Sequence, residues 1–287
     1  RYHVVDALNR GAQACLVEYF GVEAFGFEDT RVASYPQLKA ASGPIAAAYF
    51  DEPARQLDVL AVTGTNGKTS TAWWLAQALS GIEGVEKRPC AMVGTLGVGR
   101  PPAIGTEFGA LEPQAGIAAT GLTTPDPVLL QQKFREFLDQ GLVACAMEAS
   151  SIGIEERRLD GSPIRTAIFT NFTQDHLDYH LDFDDYRRAK MKLFTELLPK
   201  GAPAVINADS PELDVFEAAA KAAGLKPFTV GWRGRDLRIG EALPRGTGQD
   251  LVIQWGEGPS AGNERKVHLP LIGEFQALNA LCAAGIA

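Results

Sequence analysis

The sequence predicts an α/β protein with a mostly parallel sheet, preceded by the remainder of a smaller α/β domain. From Leu57 to Ala287 short apolar runs alternate with amphipathic helical stretches, the arrangement of parallel-sheet domains. A glycine-rich turn, T-G-T-N-G-K-T-S at Thr63–Ser70, stands between the first of these runs and the first helix. Hydrophobic residues make up 46% and charged residues 22% of 287, globular usage that excludes a disordered, collagenous or coiled-coil chain.

Residues 1–56 hold two helical stretches, Val4–Asn9 and Tyr35–Phe50, around an apolar run at Ala14–Val17. They read as the partial smaller domain, joined at Asp51–Gln56 to a larger domain over 57–287. Expected strands in the larger domain are Leu57–Thr63, Cys90–Gly94, Leu142–Glu148, Ile164–Thr170, Ala204–Asn207 and Pro227–Gly231. Between them, Lys68–Leu79, Pro125–Asp139, Phe183–Leu198 and Pro211–Ala223 read as helices. Thr124 followed by Pro125 reads as a cap with proline at the first helical position, and Gly141 sits just past that helix's end. From Asp236 to Leu271 the alternation has period two with Gly and Pro between runs, which predicts shorter antiparallel strands.

The chain carries 27 Lys and Arg against 35 Asp and Glu, a formal charge of −8, which argues against nucleic acid as a partner and leaves room for a local anion site. Cys15, Cys90, Cys145 and Cys282 show no C-x-x-C spacing and read as buried thiols in a reducing compartment. No apolar run approaches the ~18 residues of a membrane span, and no signal-peptide layout opens the chain. A cytoplasmic protein without a membrane partner is expected. The chain opens at Arg1 without methionine and closes inside the apolar run Phe275–Ala287, so both ends look cut.

Phosphate binding needs backbone N–H groups at a helix N-terminus, glycines that let a loop close around oxygens, a lysine for charge and a hydroxyl for magnesium. Gly64, Gly67, Lys68 and Thr69 supply these, with ATP or GTP the expected ligand. The spacing is G-x-x-G-K-T, and Val62 shows that the longer pattern is not met at its first glycine. A glycine-rich turn with a capping threonine is the alternative; the order strand, loop, helix favours the phosphate reading.

Glu148 ends an apolar strand, where an acid could reach a nucleotide's magnesium or simply be solvated. N-F-T-Q-D-H-L-D-Y-H (Asn171–His180) follows the next strand, so His176 falls at the same edge; magnesium prefers oxygen, an isolated histidine is more often a satisfied structural one, and spacing does not settle between them. Lys190 falls within the helical stripe of Tyr186, Ala189, Leu193, Phe194 and Leu197, while Arg187, Arg188 and Lys192 fall outside it. Either its stem snorkels, or burial lowers the ammonium pKa and frees an amine for covalent chemistry.

T-G-T-N-G-K-T-S, L-T-T-P-D (Leu122–Asp126), M-E-A-S-S (Met147–Ser151), T-N-F-T-Q-D-H-L-D-Y-H, Y-R-R-A-K (Tyr186–Lys190) and L-I-G-E-F-Q-A-L-N-A (Leu271–Ala280) together resemble the Mur ligases. Among these they resemble the MurE type, which adds the third peptide residue to UDP-N-acetylmuramoyl-dipeptide in peptidoglycan precursor synthesis. The first motif alone also fits folylpolyglutamate or cyanophycin synthetases. The resemblance implies an ATP-dependent, magnesium-dependent amide ligase, monomeric, working through an acyl phosphate. It implies a triphosphate site at Gly64, Thr65, Asn66, Gly67, Lys68, Thr69 and Ser70, with Asn279 on adenine. Thr69, Glu148, His176 and a carbamylated Lys190 would hold Mg2+, and Lys68, Glu148, His176 and Lys190 would serve catalysis. Thr123, Thr124, Ser150, Glu156 and Arg158 would hold the UDP-muramoyl substrate, whose partner is an amino acid, meso-diaminopimelate or lysine. Leu122, Ile152, Glu156 and Gln276 depart from the MurE pattern; Glu156 stands where a glutamine is usual and sets a negative charge beside an anionic ligand. The resemblance also implies a C-terminal amino-acid-binding domain absent from this chain, so that the alone-standing chain would bind nucleotide without ligase turnover. A P-loop kinase or switch GTPase would need a Walker-B aspartate or N-K-x-D, and neither occurs.

Overall fold

A computed structural model of the chain describes residues 1–82, 87–103, 116–175, 178–256 and 262–287. It begins with α1 (Tyr2–Asn9), β1 (Cys15–Glu18), β2 (Val32–Tyr35) and α2 (Leu38–Tyr49), with β1 and β2 paired in parallel. There follow β3 (Asp58–Thr63), α3 (Lys68–Gly81), β4 (Cys90–Gly94), β5 (Gly97–Gly99), β6 (Ile117–Ala118), α4 (Pro127–Asp139), β7 (Ala144–Glu148) and α5 (Ser151–Glu155). The chain continues through β8 (Ile164–Phe169), α6 (Phe183–Lys192), β9 (Pro203–Asn207), α7 (Leu213–Ala222) and β10 (Lys226–Gly231). It ends with β11 (Leu237–Arg245), β12 (Gly248–Trp255), β13 (Asn263–Leu269) and α8 (Glu274–Ala284).

Strands β3 to β13 form one mixed sheet in the order β13-β12-β11-β10-β9-β8-β3-β7-β4-β5-β6. Every pair from β11 to β4 is parallel, and β12, β13, β5 and β6 join antiparallel at the two edges. The central strands alternate their side chains between two cores. Val59 and Ala61 face the layer of α4, α6 and α7, with Phe134, Tyr186, Phe194 and Phe216, while Leu60 and Val62 face α3 and α8, with Leu75, Leu79, Leu278 and Leu281. Burial on both faces is why these strands read as continuous apolar runs. Because β3 lies between β7 and β8, with Val62 opposite Glu148 and Thr63 opposite Phe169, the segments leaving the three strands meet at one edge.

Several expectations need correction. Helix α4 is capped by Asp126, not Thr124: the Asp126 carboxylate accepts from Val128 N and Leu129 N, and Pro127 takes the first helical position. Thr124 is instead fully buried, with its hydroxyl bonded to Glu148 O. Tyr35 ends a strand, and α2 starts three residues later after Gln37 in a left-handed conformation (φ 54°). Helix α6 widens after Lys192 into a π-helical turn, Leu193–Leu197, that places Leu193 and Phe194 in the core. It stops at Leu198, extended as the residue before Pro199 must be. Within Asp236–Leu271, β11 pairs in parallel with β10 before the antiparallel β12 and β13. Cys90, Cys145 and Cys282 are buried, with the Cys90 and Cys282 thiols pushed up to about 12 by burial, but Cys15 is half-exposed. Among the described residues no helix is long and apolar enough to cross a membrane.

Candidate functional site

The loop Gly64–Gly67 joins β3 to α3 and is folded against the segment after β8. Thr65 N donates to Asn171 O (2.9 Å), Asn66 N to Asn171 Oδ1 (2.9 Å), and Thr170 Oγ1 to Asn66 O (2.6 Å). At Gly64 (φ 146°) and Gly67 (φ 83°) any side chain would be strained: a Cβ would stand 2.0 Å from Thr170 Oγ1 at the first and 2.3 Å from Asn279 Oδ1 at the second. Asn279 therefore sits directly on the loop. The first four N–H groups of a helix lack intrahelical acceptors, so the start of α3 offers donors at Lys68, Thr69 and Ser70.

Two lysines converge on one carbonyl. Lys68 Nζ donates to Gly64 O (3.0 Å) and Thr65 O (2.8 Å), and Lys190 Nζ donates to Gly64 O (2.7 Å). Lys190 is 1% exposed, lies 4.4 Å from the centroid of the Tyr186 ring, and so does not snorkel. Tyr186 in turn meets Thr65 Oγ1 (3.2 Å), and burial pushes its hydroxyl up to about 12. Burial lowers the pKa of Lys68, with Glu148 and Asp175 opposing the shift. It lowers that of Lys190 far more, because the like charge of Lys68 adds to desolvation and Asp175 alone opposes.

Glu148 is fully buried at the end of β7. Its carboxylate accepts from Thr95 N (2.8 Å) and Thr95 Oγ1 (3.3 Å), and it forms no ion pair among the described residues. Thr95 also meets Thr123 Oγ1 (3.0 Å). Thr124 bonds Glu148 O (2.9 Å) and Ser150 Oγ (3.0 Å), Ser150 caps α5 by accepting from Gly153 N (3.0 Å), and Arg158 donates to Thr124 O (2.9 Å). Thr123, Thr124, Ser150 and Arg158 thus form one network around the Glu148 strand end. Glu156 stands beside it, bonded to Tyr179 Oη (2.5 Å) and Lys39 Nζ (2.8 Å). Lys39 first and Tyr179 second hold the Glu156 carboxyl below the usual range, while that bond raises Tyr179 to about 12.

His176 lies outside the described residues. Among those described, no group of three or more His, Cys, Asp or Glu could hold a metal. What is present fits magnesium, which takes one or two carboxylates together with substrate phosphates and keeps several waters. Glu148 offers a carboxyl group in a fully buried place with only neutral donors from Thr95. Sequence reasoning did not single out Thr95, Tyr179 or Lys39. Thr170 and Asn171 lay inside a quoted motif whose contact with the loop no local spacing reveals.

A mixed sheet whose central parallel strands bring a glycine-rich loop, two lysines and a buried acid to one edge defines a class of α/β proteins built around a strand–loop–helix junction. Residues 62–287 match the Mur ligase middle domain. The chain belongs to the Mur ligase family. The UDP-N-acetylmuramoyl-L-alanyl-D-glutamate--2,6-diaminopimelate ligase of Acidovorax sp. (strain JS42) is 47% identical over 261 residues, 89% of this chain and 49% of that protein. Its namesake from Caulobacter vibrioides is 40% identical over 280 residues, 98% of this chain and 53% of that protein. A solved structure of a ligase of that name superposes with a TM-score of 0.77 at 28% identity, over 98% of this chain and 52% of the other. Folylpolyglutamate synthase of Mycobacterium tuberculosis, complexed with ADP and AMPPCP, shares the fold with a TM-score of 0.63 at 20% identity, over 87% of this chain and 58% of the other. The chain spans about half the length of the curated relatives it matches.

Proposed function

We propose that this protein is an ATP-dependent ligase of the MurE type, joining 2,6-diaminopimelate to UDP-N-acetylmuramoyl-L-alanyl-D-glutamate in peptidoglycan precursor synthesis. The observation that carries the reading is the convergence of Lys68 and Lys190 on Gly64 O, inside a loop whose two glycines hold positive-φ conformations strained for any other residue. The names of the relatives supply the substrates. In this reading residues 57–287 form the ATP-binding domain, residues 1–56 belong to the UDP-substrate domain, and the enzyme is a cytoplasmic monomer.

The triphosphate lies along Gly64–Ser70 at the start of α3, with adenine at Asn279. Lys68 exchanges its two carbonyl acceptors for the terminal phosphate oxygens. Thr69, Glu148, His176 and a carbamylated Lys190 would hold Mg2+, which when bound draws charge from the transferring phosphoryl group. Carbamylation suits Lys190: a buried amine of lowered pKa attacks carbon dioxide, sheds a proton and becomes an anion beside Lys68 instead of a second cation. Thr123, Thr124, Ser150, Glu156 and Arg158 surround the muramoyl dipeptide. An oxygen of one carboxylate of its terminal glutamate bonds the γ-phosphorus as the bond to the bridging oxygen breaks, ADP leaves, and Lys68 balances the charge that develops. The amine of diaminopimelate then attacks the acyl carbon, phosphate departs, and the new amide nitrogen loses a proton.

The test, in the protein carrying the C-terminal amino-acid-binding domain that the resemblance implies, is ADP release with UDP-N-acetylmuramoyl-dipeptide and either meso-diaminopimelate or lysine, with the tripeptide product weighed by mass spectrometry. Diaminopimelate-dependent ADP and product are expected. Nucleotide hydrolysis indifferent to the muramoyl substrate would contradict the reading.

A further inference from the structure

Among the candidate substrate residues, Glu156 carries a charge that works against its task, since a carboxylate repels a ligand built on a diphosphate and carboxylates. The structure surrounds it with compensation drawn from distant parts of the chain. Lys39, from α2, holds one oxygen at 2.8 Å, and the Tyr179 hydroxyl donates to the other at 2.5 Å. Arg158, two residues on, is half-buried, donates to Thr124 O and makes no ion pair among the described residues.

The position of Lys39 is built into the backbone. One helical turn beyond it, Gly43 packs so closely on the segment after α5 that a Cβ there would stand 1.9 Å from Asp160 O. Gly161 (φ 80°) makes the reciprocal approach, its Cβ position lying 2.6 Å from Gly43 C. Residues four apart share a helix face, so the contact that seats Gly43 also aims Lys39 at Glu156. With Lys39 in place the three charged groups leave one net positive charge, on Arg158; without it they leave none.

We infer that Lys39 is a specificity-determining residue of the substrate site: its ammonium neutralises Glu156 and so leaves Arg158 free to attract an anionic, nucleoside-diphosphate-linked ligand. The inference rests on the proposed substrate reading, and it distinguishes compensation from direct contact. If Lys39 acts through Glu156, its loss matters only while residue 156 is charged.

The test is calorimetric binding of UDP-N-acetylmuramoyl-dipeptide, with Mg-ATP affinity of each variant as the check that it is folded. Lys39→Gln is expected to weaken binding about fivefold at low ionic strength, the size of one uncompensated exposed charge, and less at high salt. In a Glu156→Gln background the same substitution is expected to change affinity by less than about twofold. Equal losses in both backgrounds, or no loss in either, would overturn the inference while leaving the substrate reading standing. A protein that binds Mg-ATP but not the muramoyl dipeptide would sink the substrate reading, and the inference with it.

Discussion

Replacing Lys190 by methionine separates a metal-site lysine from a packing lysine. Lys190→Met keeps a long stem among Tyr186, Ala189 and Leu193 and removes only the charged end, which is 1% exposed and 2.7 Å from Gly64 O. Losing a hydrogen bond from a charged donor costs ~1.5–3 kcal/mol. Gly64 O keeps Lys68 as a donor at 3.0 Å, so no acceptor is orphaned. Against that loss stands relief from burying an ammonium beside a second cation, a penalty of several kcal/mol that deprotonation already limits. The two effects oppose each other, so stability should move by no more than about 1–2 kcal/mol. Turnover should fall at least ~100-fold, as when a preorganised electrostatic group is removed from a reaction centre. The assays are urea unfolding and, in the protein carrying its amino-acid-binding domain, muramoyl-dipeptide-dependent ADP release, with short carboxylic acids added to fill the vacated anionic place. A carbon-13 carbamate signal from labelled bicarbonate, present in the unaltered protein and missing in Lys190→Met, should accompany activity and fade as pH falls, because carbon dioxide adds to the neutral amine. Near-normal turnover of a folded Lys190→Met would mean that the lysine serves packing alone. In protein freed of carbon dioxide the sign of the pH effect is also fixed. The folded-state pKa of Lys190 lies well below the unfolded 10.5, so between the two the unfolded chain binds more protons and stability rises with pH. Lys190→Met should flatten that rise.

Two further substitutions test how the site is held. Gly64→Ala forces a Cβ to 2.0 Å from Thr170 Oγ1 at a φ of 146°, and should cost ~1–3 kcal/mol of stability by urea unfolding together with most Mg-ATP affinity; wild-type binding in the variant would mean that the loop is not the nucleotide's cradle. Asp126→Ala removes the cap of α4 and should cost ~1 kcal/mol in thermal unfolding, a loss that would be absent were Thr124 the cap.

The parallel architecture was legible because strands buried on both faces write themselves as short apolar runs, and α3 followed the loop as the glycine pattern required. Lys190 was legible in part: its place in an apolar helical stripe put its stem against the core, but snorkelling and burial of the ammonium stayed open until the structure set it on Gly64 O. The start of α4 was not, since Thr124 and Asp126 are both good caps and a tertiary contact, the Thr124 bond to Glu148 O, removes the first from competition. Thr95 and Lys39 carry no local signal at all. Their partners lie 53 and 117 positions away along the chain, at Glu148 and Glu156, and reach them only because the sheet order and the packing of α2 bring those segments together.

Most of the proposed chemistry rests on the loop Thr63–Ser70 being a triphosphate site. Calorimetric titration of the protein with Mg-ATP, unaltered and as Lys68→Ala, tests this directly, because Lys68 Nζ is the charged donor that would leave Gly64 O and Thr65 O for the terminal phosphates. Saturable binding is expected, weakening by roughly 10- to 150-fold in a folded Lys68→Ala, the loss of one charge-assisted interaction of ~1.5–3 kcal/mol. Equal Mg-ATP affinity in the two proteins, or none in a folded unaltered chain, would contradict it.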